Sequence, residues 1–119
     1  MRLADIATEE RDGVVVARVS GELDLSNVAD VGDALAHATP SHATGLVIDL
    51  SELRHIDSAG VRMLFELRRR LVQHRQELAA VVPAGARIAD VIELLAVAQT
   101  IPVFGAVGPA VDTVRATEP

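Results

Sequence analysis

Val14 to Val19 is a β-branched run that predicts a strand, and Arg11-Asp12-Gly13 before it reads as a turn. A weaker run, Leu3 to Thr8, predicts a leading edge strand. Val28, Val31, Leu35 and Ala38 keep helical spacing, with Ser26 or Asn27 placed to cap that helix. Pro40 lies in a polar loop, and Gly45 to Leu50 follows as a nearly continuous apolar run, the pattern of a strand covered on both faces. From Ser58 to about His74 the spacing changes again. Val61, Leu64, Phe65, Leu67, Leu71 and Val72 form a broad helical face, while Arg62, Met63, Glu66, Arg69 and Arg70 fall on the polar side. Glu66 and Arg70 stand at i,i+4, the spacing of a weak ion pair.

Leu78 to Val82 predicts a further strand closed by Pro83 and Gly85, and Ile88, Val91, Ile92 and Leu95 mark a third helix. Ile101 to Phe104 reads as a short strand whose Pro102 points to a sheet edge or a bulge. Pro109 to Arg115 fits a final helix, with residues 116–119 as a frayed tail. From Val14 onward strands and helices alternate with short connections, which argues for a parallel sheet with right-handed crossovers. The expectation is one α/β domain over residues 1–119. Its central sheet is mostly parallel, with four to five strands, about four helices and an extra N-terminal edge strand. No repeat, low-complexity segment or linker divides it.

Composition narrows the chemistry. The 119 residues are 50% hydrophobic, yet Phe65 and Phe104 are the only aromatics, so there is little to stack on nucleobases. A net charge of −6 also argues against a nucleic acid partner. All eleven basic residues are Arg, which removes lysine chemistry, and the absence of Cys removes disulfides and thiolate sites. No apolar run approaches the ~20 residues needed to span a bilayer, and the N-terminus has no signal-peptide pattern, so a cytoplasmic protein without membrane insertion is expected. His37, His42, His55 and His74 lack paired metal spacing, and neither a Walker pattern nor GxGxxG occurs. No metal and no cofactor are expected.

Asp57-Ser58-Ala59-Gly60 is the most informative stretch, because it joins the Leu46–Leu50 strand region to the long amphipathic helix. A hydroxyl on the first turn of a helix lies where unpaired amides and the helix dipole favour an added negative charge. It also lies beside the fixed charge of Asp57. Ser58 therefore reads either as a simple cap or as a site whose phosphate would sharply change the local surface. Glu22 and Asp24 follow Gly21, which lets the chain leave its strand, and they sit at the same sheet end as the Ser58 helix start. They read as interface carboxylates or as solvated loop charges. Asp49 reads as a structural carboxylate needing hydrogen bonds, and Asp57 as support for the Ser58 turn. Met63, beside Arg62, reads as an exposed methionine within a partner footprint. DSAG is not a nucleophile elbow, and without a lysine the chain does not fit a two-component receiver, so catalysis is not expected.

Val14 to Asp24 (VVVARVSGELD), Gly45 to Leu53 (GLVIDLSEL) and Ile56 to Gly60 (IDSAG) together resemble the STAS family, specifically the small bacterial anti-sigma factor antagonists. The resemblance implies a STAS-like fold with the leading strand at one sheet edge. It implies that Ser58 accepts phosphate from an anti-sigma factor that is also a serine kinase, and that a serine phosphatase resets it. It places the partner-binding surface at Glu22, Asp24, Asp57, Ala59, Gly60, Arg62 and Met63. Many antagonists carry a second hydroxyl residue where this chain has Ala59. The alternative within the same family is a non-phosphorylated scaffold subunit of a lipid-transport or transporter complex, with Ser58 as a cap. The pattern is compatible with a homodimer.

Overall fold

The computed structural model describes residues 4–116. It contains a six-stranded sheet. Its strands are β1 (Ala4–Arg11), β2 (Val14–Leu23), β3 (Gly45–Asp49), β4 (Leu53–Ile56), β5 (Glu77–Val81) and β6 (Val103–Phe104). The helices are α1 (Val28–His37), α2 (Ser58–Gln73), α3 (Ala89–Leu94) and α4 (Val107–Ala116), with a short 3-10 turn at Val97–Gln99. Spatial order is β1-β2-β3-β5-β6, and β4 pairs separately with β2. Only β1 runs antiparallel to its neighbour; the other pairings are parallel. The leading strand is longer than the Leu3–Thr8 run, extending to Arg11, and Leu3 lies outside the described residues. Asp12 and Gly13 both have positive φ, 54° and 84°, the backbone of a two-residue hairpin turn matched to strand twist.

Period-2 alternation divides the core into two layers. Val15, Ala17, Val19, Leu46, Ile48 and Leu78 face α1, α2 and α3, where Leu35, Leu64, Leu67 and Ile92 cover them. Val14, Val16, Val47, Ala79 and Val81 face the opposite way, against Ala110, Val111 and Val114 of α4. Burying side chains such as Leu64 and Leu67 contributes about 1.5–3 kcal/mol each, enough to fix α2 on the sheet. The far end of α2 is closed by Leu71 O, which accepts from both His74 N and Gln76 N at 2.9 Å, with Arg75 left-handed between them. Buried Gln76 then donates to Pro40 O at 2.8 Å and Ala43 O at 3.1 Å, stapling the α1–β3 loop to β5.

Several expectations are corrected. β2 does not end at Val19 but runs to Leu23, so Glu22 is a strand residue, and Gly21 does not release the chain. Instead Gly21, at φ 96°, carries a register shift inside a continuing strand. Val14 to Arg18 pair with β3, and Gly21 to Leu23 pair with β4, a strand the sequence pattern did not reveal. Asp49 is only half-buried at the margin of α4's cover, and it accepts a hydrogen bond from Ser51 N at 3.0 Å. Val72 is exposed, and Arg70 pairs with Asp33 of α1 at 3.3 Å. α3 stops at Leu94 because Ala96 turns left-handed, leaving Leu95 outside it. The last strand begins at Val103, after Pro102, whose carbonyl accepts from Ala80 N. Ala116 closes α4, and residues 117–119 lie outside the described residues.

Candidate functional site at the carboxyl end of the sheet

Parallel pairing of β2 with β4 fixes the site. The register sets Glu22 opposite His55 and Leu23 opposite Ile56, so both strands end together. One further backbone bond, Asp57 N to Leu23 O at 3.3 Å, ties the start of α2 to the end of β2. Gly60 makes this approach possible. A Cβ there would stand 2.5 Å from Ile56 Cγ1 and 3.1 Å from Leu23 O.

Asp57 is the N-cap of α2. Its backbone is extended, at φ −108° and ψ −172°, and its side chain accepts from Gly60 N at 3.0 Å. Ser58 is therefore not the cap. It is the first helical residue, exposed, and its hydroxyl makes no hydrogen bond among the described residues. Arg62, one turn along on the same face, is exposed as well. Asp57→Ala is expected to lose about 1 kcal/mol of stability through the lost cap, whereas Asp57→Asn keeps most of it. Denaturant midpoints of the two variants check this.

The loop from β2 to α1 faces Ser58's end of the sheet and is held by its own side chains. Asp24 Oδ1 accepts from Ser26 N at 2.9 Å and from the Ser26 hydroxyl. Asp24 N donates to Asn27 Oδ1 at 3.1 Å, and Asn27 Nδ2 donates to Glu22 O at 2.8 Å. Asn27 occupies the N-cap position, but it does not cap α1 through its side chain, which turns back to brace the loop. The two bonds from Ser26, with a smaller electrostatic pull from His55, hold the Asp24 carboxyl below its ordinary 3.8. Because that pKa is lowered, Asp24 stays ionised at neutral pH, and its bracing is lost only as pH falls through the lowered value.

A shallow groove of about 220 Å³ opens beside Ser58, lined by Leu25, Val28, Ala29, Ala59, Arg62 and Met63, with Glu66 at its rim. Met63 corrects the sequence expectation. It is 7% exposed, not a surface methionine, because Gly32 of α1 leaves room for its side chain. A Cβ on Gly32 would lie 3.2 Å from Met63 Cγ. The structure thus gathers Glu22, Asp24, Asp57, Ser58, Ala59, Gly60 and Arg62 at one end and puts Met63 at the floor of the groove. Leu25, 80% exposed, went unmarked by the sequence reasoning, although an apolar residue between Asp24 and Ser26 in a polar loop was a signal. Among the described residues no group of three or more His, Asp or Glu is placed to hold a metal, and no helix is long and apolar enough to cross a membrane.

A braced loop, an exposed hydroxyl at a helix start and an open groove thus meet at one end of a small α/β domain. The chain belongs to the STAS domain family, whose pattern matches residues 5–110. It is similar to the anti-sigma-F factor antagonist RsfB of Mycobacterium tuberculosis, 27% identical over 110 residues that span 92% of this chain and 88% of the relative. The crystal structure of an anti-sigma factor antagonist from Mycobacterium paratuberculosis superposes with a TM-score of 0.81 at 27% identity, covering 94% of each chain. SpoIIAA of Bacillus shares the fold in its unphosphorylated form, with a TM-score of 0.72 at 20% identity over 97% of this chain and 100% of its own. It does so also in its phosphorylated form, with a TM-score of 0.65 at 21% identity over 93% and 100%.

Proposed function

We propose that this protein is an anti-sigma factor antagonist. It binds an anti-sigma factor with serine-kinase activity while Ser58 is unphosphorylated, and it is released once Ser58 carries phosphate. A serine phosphatase restores the binding form, and the antagonist itself acts as a regulator of sigma-factor-dependent transcription, not as a catalyst. The observation that carries this reading is the division of labour at the start of α2. Asp57 supplies the cap, which leaves the Ser58 hydroxyl exposed and unengaged. The scaffold alternative treats Ser58 as a cap, and that role is already filled.

The physical switch is electrostatic. Phosphate on Ser58 adds roughly −1.5 to −2 charges beside Asp57 and at the sheet end that carries Asp24. In the free protein, water, the helix start and Arg62 accommodate that charge. In a complex fitted to a neutral serine the same group is desolvated next to carboxylates, so affinity falls without refolding. Ser58→Glu is expected to weaken kinase binding at least tenfold. Ser58→Ala is expected to bind like the parent and take up no phosphate. Titration calorimetry with the purified kinase, together with a phosphorylation assay, checks both. Binding of Ser58→Glu at parental affinity refutes the charge switch.

A further inference from the structure

We infer that Leu25 is the apolar anchor by which the kinase grips this surface, an inference that rests on the antagonist reading above. Single exposed leucines are ordinary on protein surfaces, so exposure alone decides nothing. Leu94 provides the contrast. It is 82% exposed on α3, a six-residue helix whose N-cap residue, Ile88, makes no side-chain bond, and it lines no part of the groove beside Ser58.

Leu25 differs in three ways. It lines the same groove as Ala59, Arg62 and Met63, and so is continuous with the surface that holds Ser58. Its neighbours on both sides are locked. Asp24 O accepts from Asn27 N and Val28 N at 3.1 Å, and the Asp24 carboxylate accepts from Ser26. Asn27 adds the bonds to Asp24 N and Glu22 O. An apolar side chain on a loop already fixed loses little conformational freedom when it is buried in a partner, which is the property of a binding hot spot. Finally, Leu25 is the large exposed apolar side chain of a groove whose charged lining, Arg62 and Glu66, is of mixed sign. The occupant is accordingly an apolar pocket on the kinase, the partner that must reach Ser58 beside this groove.

An anchor of this kind contributes to binding equally before and during phosphoryl transfer. Its loss therefore raises KM and leaves kcat alone. Leu25→Ala removes an exposed side chain and is expected to fold with an unchanged Tm. The experiment measures phosphorylation of the parent, Leu25→Ala and Leu94→Ala by each purified serine-kinase anti-sigma factor of the host, over a range of antagonist concentrations. For the kinase that phosphorylates the parent, Leu25→Ala is expected to raise KM about tenfold at constant kcat, the loss that comes from leaving most of one leucine side chain unburied. Leu94→Ala is expected to match the parent. Parental KM for Leu25→Ala, a fall in kcat instead of a rise in KM, or an equal effect of Leu94→Ala overturns the anchor while the Ser58 switch stands. If no kinase binds or phosphorylates the parent, the antagonist reading falls, and the anchor with it.

Discussion

Gly45→Ala is expected to cost more than about 3 kcal/mol. Gly45 opens β3 between Val14 of β2 and Glu77 of β5. A Cβ at this point collides with the Glu77 carbonyl, and stands 2.9 Å from Glu77 N and 2.7 Å from Val114 Cγ1 of α4. Two of these three atoms are backbone, so no rotamer change relieves the contact. β5 must move away from β3, or α4 must lift from the face it covers. Either response breaks the smaller core layer around Val47, Ala79 and Val111. Equilibrium urea unfolding of the variant measures the loss, and a change below 1 kcal/mol contradicts this account.

Gly60→Ala tests the junction that carries the site. Alanine is the better helix former by about 1 kcal/mol, so propensity alone favours the variant. Packing opposes it more strongly. The new Cβ meets Ile56 Cγ1 at 2.5 Å and Ile56 Cδ1 at 3.2 Å, and Ile56 is buried and has little room to turn away. It also meets Leu23 O, the same carbonyl that accepts from Asp57 N. A net loss of about 2 kcal/mol is expected, equivalent to roughly 8–12 °C in Tm. Relief of the clash pushes the first turn of α2 outward and carries Asp57 and Ser58 with it. Phosphorylation of Gly60→Ala is therefore expected to slow by more than the loss of folded protein explains. A variant as stable as the parent, with parental phosphorylation, removes the close-approach argument.

Much of this was readable before the structure. The alternation of β-branched runs with helical spacing gave the parallel sheet, and Asp-Ser pointed to the start of α2, where the Ser58 hydroxyl is exposed. What stayed hidden depended on contacts between distant elements. Leu53-Arg54-His55-Ile56 is too short and too charged in the middle to announce a strand, and it exists because the last residues of β2 need a partner. Met63 lies among polar residues on a helical wheel, and only the missing side chain of Gly32, on another helix, draws it inward. Asn27 has the residue type of a cap, but the Glu22 carbonyl and Asp24 amide compete for its side chain and win. Leu25 has no periodicity to report, since its meaning lies in the rigidity of its neighbours.

The divided pairing of β2 has a consequence for how such a protein can diversify. Five residues of β2 are committed to β3, and three, Gly21 to Leu23, are committed to β4, with the register shift falling between Gly21 and Glu22. A change of length in the turn between β3 and β4 can be absorbed at that shift without disturbing the longer ladder. The sheet end that carries Ser58 is thus fastened to the domain as a replaceable tip, free to be recut while the body beneath it keeps its register.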